Sequence, residues 1–253
     1  MHFRFIALAA ALASGAASPA FARQPFETET ARLPDQGHGD VQVEFEYATS
    51  DEGHDIAAPV VIEYGVTDRL KLVVEPDLYA STRSKGAKAV HGFGDTEVRL
   101  VYLVAQESAS RPAFALGGEV KIPTGKKPEL SSGKLDYRLF GIASKRLGRW
   151  DLHANLGYTL VGAPANENPP NEVDYSFAAE YQANARITLV AEVLGATPIG
   201  GGPVLPGAEA DGTLITGLIG ARYKLNNKAD FSVGATYDSG SAVLFRTALT
   251  VRF

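Results

Sequence analysis

Val243-Leu244-Phe245-Arg246-Thr247-Ala248-Leu249-Thr250-Val251-Arg252-Phe253 closes the chain and decides how the rest of it is read. Val243, Phe245, Leu249, Val251 and Phe253 share one parity, with Thr247 the single lapse; Leu244, Arg246, Ala248, Thr250 and Arg252 share the other. Alternation with a period of two makes a strand with two unlike faces. A strand in a soluble core usually avoids two arginines. One set between lipid and a wet lumen accommodates them, because its polar face meets water. The tail therefore predicts a strand of a transmembrane β-barrel.

The other end of the chain agrees. Arg4, the apolar run Phe5 to Leu12 and the small-residue site Ala20-Phe21-Ala22 make a secretory signal peptide over residues 1–22. The run is too short for a helix to cross a hydrocarbon core of about 30 Å, and no later stretch holds about 18 consecutive apolar residues. Any spanning must then be done by strands. The terminal Phe253 is similar to the signal by which the barrel-assembly machinery recognises outer-membrane proteins. Phe253 is the expected assembly signal, and that machinery, outer-membrane lipid and lipopolysaccharide are the expected partners.

Segments of about ten alternating residues recur from about residue 40. Val41, Val43, Phe45 and Tyr47 oppose Gln42, Glu44 and Glu46; Leu70, Leu72 and Val74 oppose Lys71, Val73 and Glu75; Leu152, Leu156 and Tyr158 oppose His153 and Asn155. Near 136–145 and 213–223 both parities carry apolar residues. The total is about twelve, an even number as single-chain bacterial barrels have. Tight links near 65–68, 105–111, 147–149, 183–185 and 225–228 alternate with longer ones near 79–93, 124–134, 161–172 and 196–211, while the remaining outer connections near 51–56 and 238–241 are short. Short periplasmic turns and long outer loops produce that alternation. The expected organisation is a signal peptide at 1–22, a periplasmic lead-in or flexible arm at 23–39 and an all-β, antiparallel outer-membrane barrel at 40–253.

Composition narrows the functions. The formal charge is −5, and losing Arg4 with the signal peptide makes it −6. A mildly acidic chain lacks the basic footprint of nucleic-acid binding. The chain has no cysteine, which excludes thiolate chemistry and cysteine metal sites. No ligand tetrad at metal spacing is present, and no cofactor is expected.

Several stretches resemble the outer-membrane family named after the MetA pathway of phenol degradation: EYGVTDRLKLVVEP (63–76), GFGDTEVRLVYLV (92–104), GGEVKIPTGKK (117–127) and SKRLGRWDLHANLGYT (144–159). The lead-in ETETARLPDQGHGDVQVEFEY (27–47) is similar to that family's start. The resemblance implies a barrel, often described only as a transporter, and links some relatives to aromatic catabolism. It carries no catalytic residue across.

The polar parity of the strands is the expected lumen face. Its pore candidates are Glu63, Lys71, Glu75, Glu97, Arg99, Glu119, Lys121, His153, Glu180, Glu192 and Arg246. Arg or Lys facing lipid near the midplane costs about 2–4 kcal/mol, so these groups belong inside or at an interface. They could fill the barrel as ion pairs or line a conduit that selects solutes. The expected function is passive or facilitated passage of a small solute, with an aromatic or hydrophobic one suggested by the family. A sealed structural or interaction barrel is the alternative. An outer-membrane enzyme comes third, since His153 alone on a strand offers no nucleophile–base pair.

Overall fold

The computed structural model describes residues 24–163, 169–200 and 213–253; the segment read as a signal peptide lies outside the described residues. Thirteen strands are present among them. They are β1 (Gly39–Ser50), β2 (Gly53–Thr67), β3 (Leu70–Ser84), β4 (Val90–Gly92), β5 (Thr96–Ala105), β6 (Ala113–Ile122) and β7 (Asp136–Leu147). The second half holds β8 (Trp150–Leu160), β9 (Asn171–Gln182), β10 (Ile187–Ile199), β11 (Leu214–Lys224), β12 (Ala229–Asp238) and β13 (Val243–Arg252).

Each strand pairs antiparallel with the next, β3 passing over β4 to β5, and β13 returns to β1 from Asp40↔Arg252 to Thr49↔Val243. The result is a closed ring of twelve strands. β4 stands outside it, paired only with the far end of β3. Closure matters because an open edge would leave backbone N–H and C=O groups unpaired in hydrocarbon.

The alternation sorts the side chains. Phe45, Leu100, Tyr102, Leu116, Leu139, Leu156, Phe177, Val233 and Phe245 are exposed on the outside, Leu139 to 74 %. Lys71, Arg99, His153, Glu192 and Arg246 are buried on the inside. A chain that exposes its leucines and buries its charges is built for an apolar solvent. At one end of the ring the links are tight, as at Asp68-Arg69 and Gly148-Arg149, where Gly148 takes a left-handed φ of +62°. Most links at the other end are longer, although β1 and β2 are joined there by Asp51-Glu52 alone. These are called here the turn end and the loop end.

The lead-in differs from expectation. Instead of an arm outside the barrel, the stretch from Phe26 to Ala31 is buried within the ring, with Thr28 and Thr30 wholly inaccessible. It enters near β11, crosses to β7 and leaves at the turn end, where Gly37 donates to the Gly65 carbonyl at 2.9 Å before β1 begins. Two apolar surfaces hold it. Ala31 joins Val101, Leu103, Ala113, Ala115, Phe140 and Ile142, with Leu33 packed against them. Phe26 packs on Val190 and Leu218. Its ring sits over the paired Gly220 and Gly234, where a Cβ on Gly220 would stand 2.5 Å from the ring. Only glycine leaves that recess.

Candidate functional site: the barrel lumen

The segment from Gln24 to Leu33 has no strand partner, so its backbone polar groups need other acceptors and donors. Glu192 accepts from the Glu27 N–H and from the Thr28 N–H (2.9 Å) and hydroxyl (2.8 Å). Asn155 accepts from the Glu29 N–H at 2.8 Å and donates to its carbonyl at 2.9 Å. The Ser144 hydroxyl accepts from the Ala31 N–H at 2.9 Å, and Arg222 donates to the carbonyls of Gln24 and Pro25. Inward-facing side chains of β7, β8, β10 and β11 thus replace a neighbouring strand.

Charges fix the same segment on all sides. Glu29 takes Lys71 at 3.0 Å and Arg99 at 3.4 Å, and Lys71 also pairs with Glu63 at 3.2 Å. Glu27 pairs with Arg246, which also holds Glu46 and, at 3.3 Å, Glu44. Arg32 reaches Glu107 at 2.5 Å and Asp151 at 2.7 Å near the turn end. At Glu107, burial pushes the carboxyl up, but the Arg146 N–H, Lys145 and Arg32 together bring it below its ordinary value.

The eleven residues expected on the lumen face all point into the ring, in three groupings. Glu63, Lys71, Arg99, Glu192 and Arg246 meet the N-terminal segment or its immediate partners. Glu75 pairs with Arg99, Glu119 stands between Arg99 (3.6 Å) and Arg138 (3.7 Å), Lys121 pairs with Asp136, and Glu97 lines the cavity above. His153 and Glu180 sit together deeper: the His153 Nδ1 is 2.8 Å from the Ser144 hydroxyl, its Nε2 3.7 Å from Glu180, and Glu180 pairs with Arg222 at 2.7 Å. Ser144 and His153 are buried and the Ser144 oxygen is already engaged by Ala31, so a substrate has no route to this pair with the segment in place. Sequence reasoning missed Glu27, Glu29 and Arg32. The apolar residues on the wrong parity, Phe140, Ile142 and Leu218, were the available signal, since an apolar lumen wall needs something apolar to cover it.

A cavity of about 380 Å³ occupies the loop half of the lumen, floored by Glu27, Asn155, Arg99 and Arg246. Ten carboxylates and three guanidinium groups line it, together with apolar Ala48, Pro59, Leu194, Leu214 and Leu244. Asp55, Asp77, Glu97, Glu172 and Asp174 stand on its upper walls. Among the described residues no group of three or more His, Asp or Glu could hold a metal ion.

Residues 22–253 match the model of the family described as "Putative MetA-pathway of phenol degradation". The chain belongs to this family. No curated protein sequence matches it. Among solved structures, an outer membrane channel from Pseudomonas putida F1 is similar at a TM-score of 0.68 and 14 % identity, covering 91 % of this chain and all of that one. The NanC porin is similar at a TM-score of 0.61 and 9 % identity, over 83 % of this chain and 98 % of the porin. The KdgM porin, described in complex with disordered oligogalacturonate, gives 0.54 and 14 %, over 84 % and 99 %. At these identities the likeness concerns the fold: the family member is a porin-like, closed twelve-strand barrel of the outer-membrane type.

Proposed function

We propose that this barrel sits in the outer membrane and passes a small neutral or cationic solute along a narrow lumen. The observation that carries the reading is the cavity in the loop half, acidic at ten carboxylates to three guanidiniums and backed by leucines. Fixed charges at that excess raise the local concentration of cations and repel anions. An anionic sugar chain of the kind described with the KdgM porin suits such a wall poorly. A neutral aromatic solute, which the family description suggests, meets no such penalty and has Leu194, Leu214 and Leu244 to contact.

The buried N-terminal segment supports a second reading, a sealed barrel whose role lies in its surface. Planar-bilayer recordings separate the two. The full chain should give small, cation-preferring conductance under a salt gradient. Removing residues 24–33 should raise the conductance several-fold, and Glu97→Gln with Glu119→Gln should weaken the cation preference. Anion selectivity would overturn the solute class, and a silent full chain with a silent deletion variant would leave the sealed barrel.

A further inference from the structure

Charge at the loop end is distributed by sector. Arg83, Lys85 and Lys88 lie on the end of β3 and the turn that follows; Lys126, Lys127 and Lys134 lie on the β6–β7 loop. All six are exposed, and among the described residues none has a carboxylate partner. Over 83–94 and 123–135 the only acid is Glu129. By contrast the neighbouring β1–β2 tip carries Asp51, Glu52 and Asp55 around His54, and no lysine or arginine.

The two basic loops form one surface. The Lys127 ammonium donates to the His91 carbonyl on β4 at 2.5 Å, the Thr124 hydroxyl to the Gly94 carbonyl at 2.9 Å, and the Gly125 N–H to Asp95 at 3.2 Å. β4 itself, hydrogen-bonded to β3 outside the barrel ring, fixes the first loop beside β3, and Lys127 ties the second loop to it. Immediately toward the midplane the surface turns apolar, with Tyr79, Phe93 (65 % exposed), Leu135 and Tyr137. Cations above and aromatic and aliphatic groups below match a lipid whose anionic head stands directly over several acyl chains.

We propose that this sector is a docking surface for the phosphate groups of a phosphorylated, multiply acylated glycolipid in the outer leaflet, of the lipid A type. The proposal rests on the outer-membrane placement argued above and is independent of whether the lumen conducts. Lysine and arginine bind phosphate by charge-assisted hydrogen bonds, and in this sector they meet backbone carbonyls but no paired carboxylate that would compete for them. The β4 pairing keeps the two loops together, so they present one preorganised face.

Native mass spectrometry of the full-length barrel in neutral detergent, titrated with bis-phosphorylated lipid A or with its dephosphorylated form, tests this directly. The wild type should prefer the bis-phosphorylated lipid by at least about tenfold. The combined variant Lys85→Ala, Lys88→Ala, Lys126→Ala and Lys127→Ala should lose that preference while keeping heat-modifiable migration, and Lys228→Ala at the turn end should leave it intact. Added salt should weaken the preference, because exposed charges are screened. Equal binding of the two lipids by the wild type, or an unchanged preference in the combined variant, overturns the proposal. So does competition by inorganic phosphate at the same strength, which would mark a simple anion site. A silent channel with retained lipid preference would count against the transport reading alone.

Discussion

Lys71 is wholly inaccessible, and its ammonium has only the carboxylates of Glu29 and Glu63 in place of water. A buried charge stripped of its partner is costly, whereas an exposed one is nearly neutral to replace. Lys71→Met leaves buried Glu63 without its lysine and buried Glu29 with Arg99 alone, and should destabilise the barrel by about 3–5 kcal/mol. Exposed Lys228→Met should change it by no more than about 0.5 kcal/mol. The temperature at which the folded band converts to the unfolded one, at a fixed heating time, reads the difference. Equal conversion temperatures would show that the Lys71 cluster carries no such load. The same reasoning gives the acids and bases of the lumen a shared role: most are neighbours around the wall, as in Glu75 with Arg99, while the lumen is bridged chiefly through Glu27, Glu29 and Arg32.

The N-terminal segment behaves as an element without regular structure, and its anchor at the turn end has a pH dependence. Because the Glu107 carboxyl is held below its ordinary value, its contribution is complete above the ordinary carboxylate range and is lost as pH falls through the depressed value. Hydrogen exchange over residues 27–31, corrected for intrinsic rates, should show constant protection from neutral pH down to the ordinary carboxylate range and a loss of protection below it. Glu107→Gln should show part of that loss at neutral pH. A transition centred near neutrality would point to another group.

The strands themselves were legible because lipid outside and water inside impose a strict period of two. The segment was not legible because its hydrogen-bond partners are side chains far away in sequence, Glu192 and Asn155 among them, and no local period records them. Its trace was the blurred parity of β7 and β11, where Phe140, Ile142 and Leu218 face inward to receive Ala31 and Phe26.

At the scale of the whole molecule, the ring closes only when β1 meets β13, the most distant pairing in the chain. Such closure is entropically slow and comes late. Arg246, which holds Glu27, lies on that last strand, so the lumen segment gains its full set of contacts only with a complete ring. Once seated, it is joined to β1 through residues 34–38, so it can leave only through the turn end and only as far as its own length allows. Some fifteen residues, 24–38, reach at most about 50 Å when extended. A tether of that kind sets an effective concentration of order millimolar, independent of how much protein is present. A free peptide of residues 24–33 should therefore reproduce the narrowness of the intact chain in the 24–33 deletion variant only near millimolar amounts, while the intact chain stays narrow at any dilution. Blockade by micromolar peptide would mean that the contacts alone, without the leash, suffice. Occupancy of this lumen is then a property of linkage as well as of fit: the chain carries its own ligand at a fixed dose.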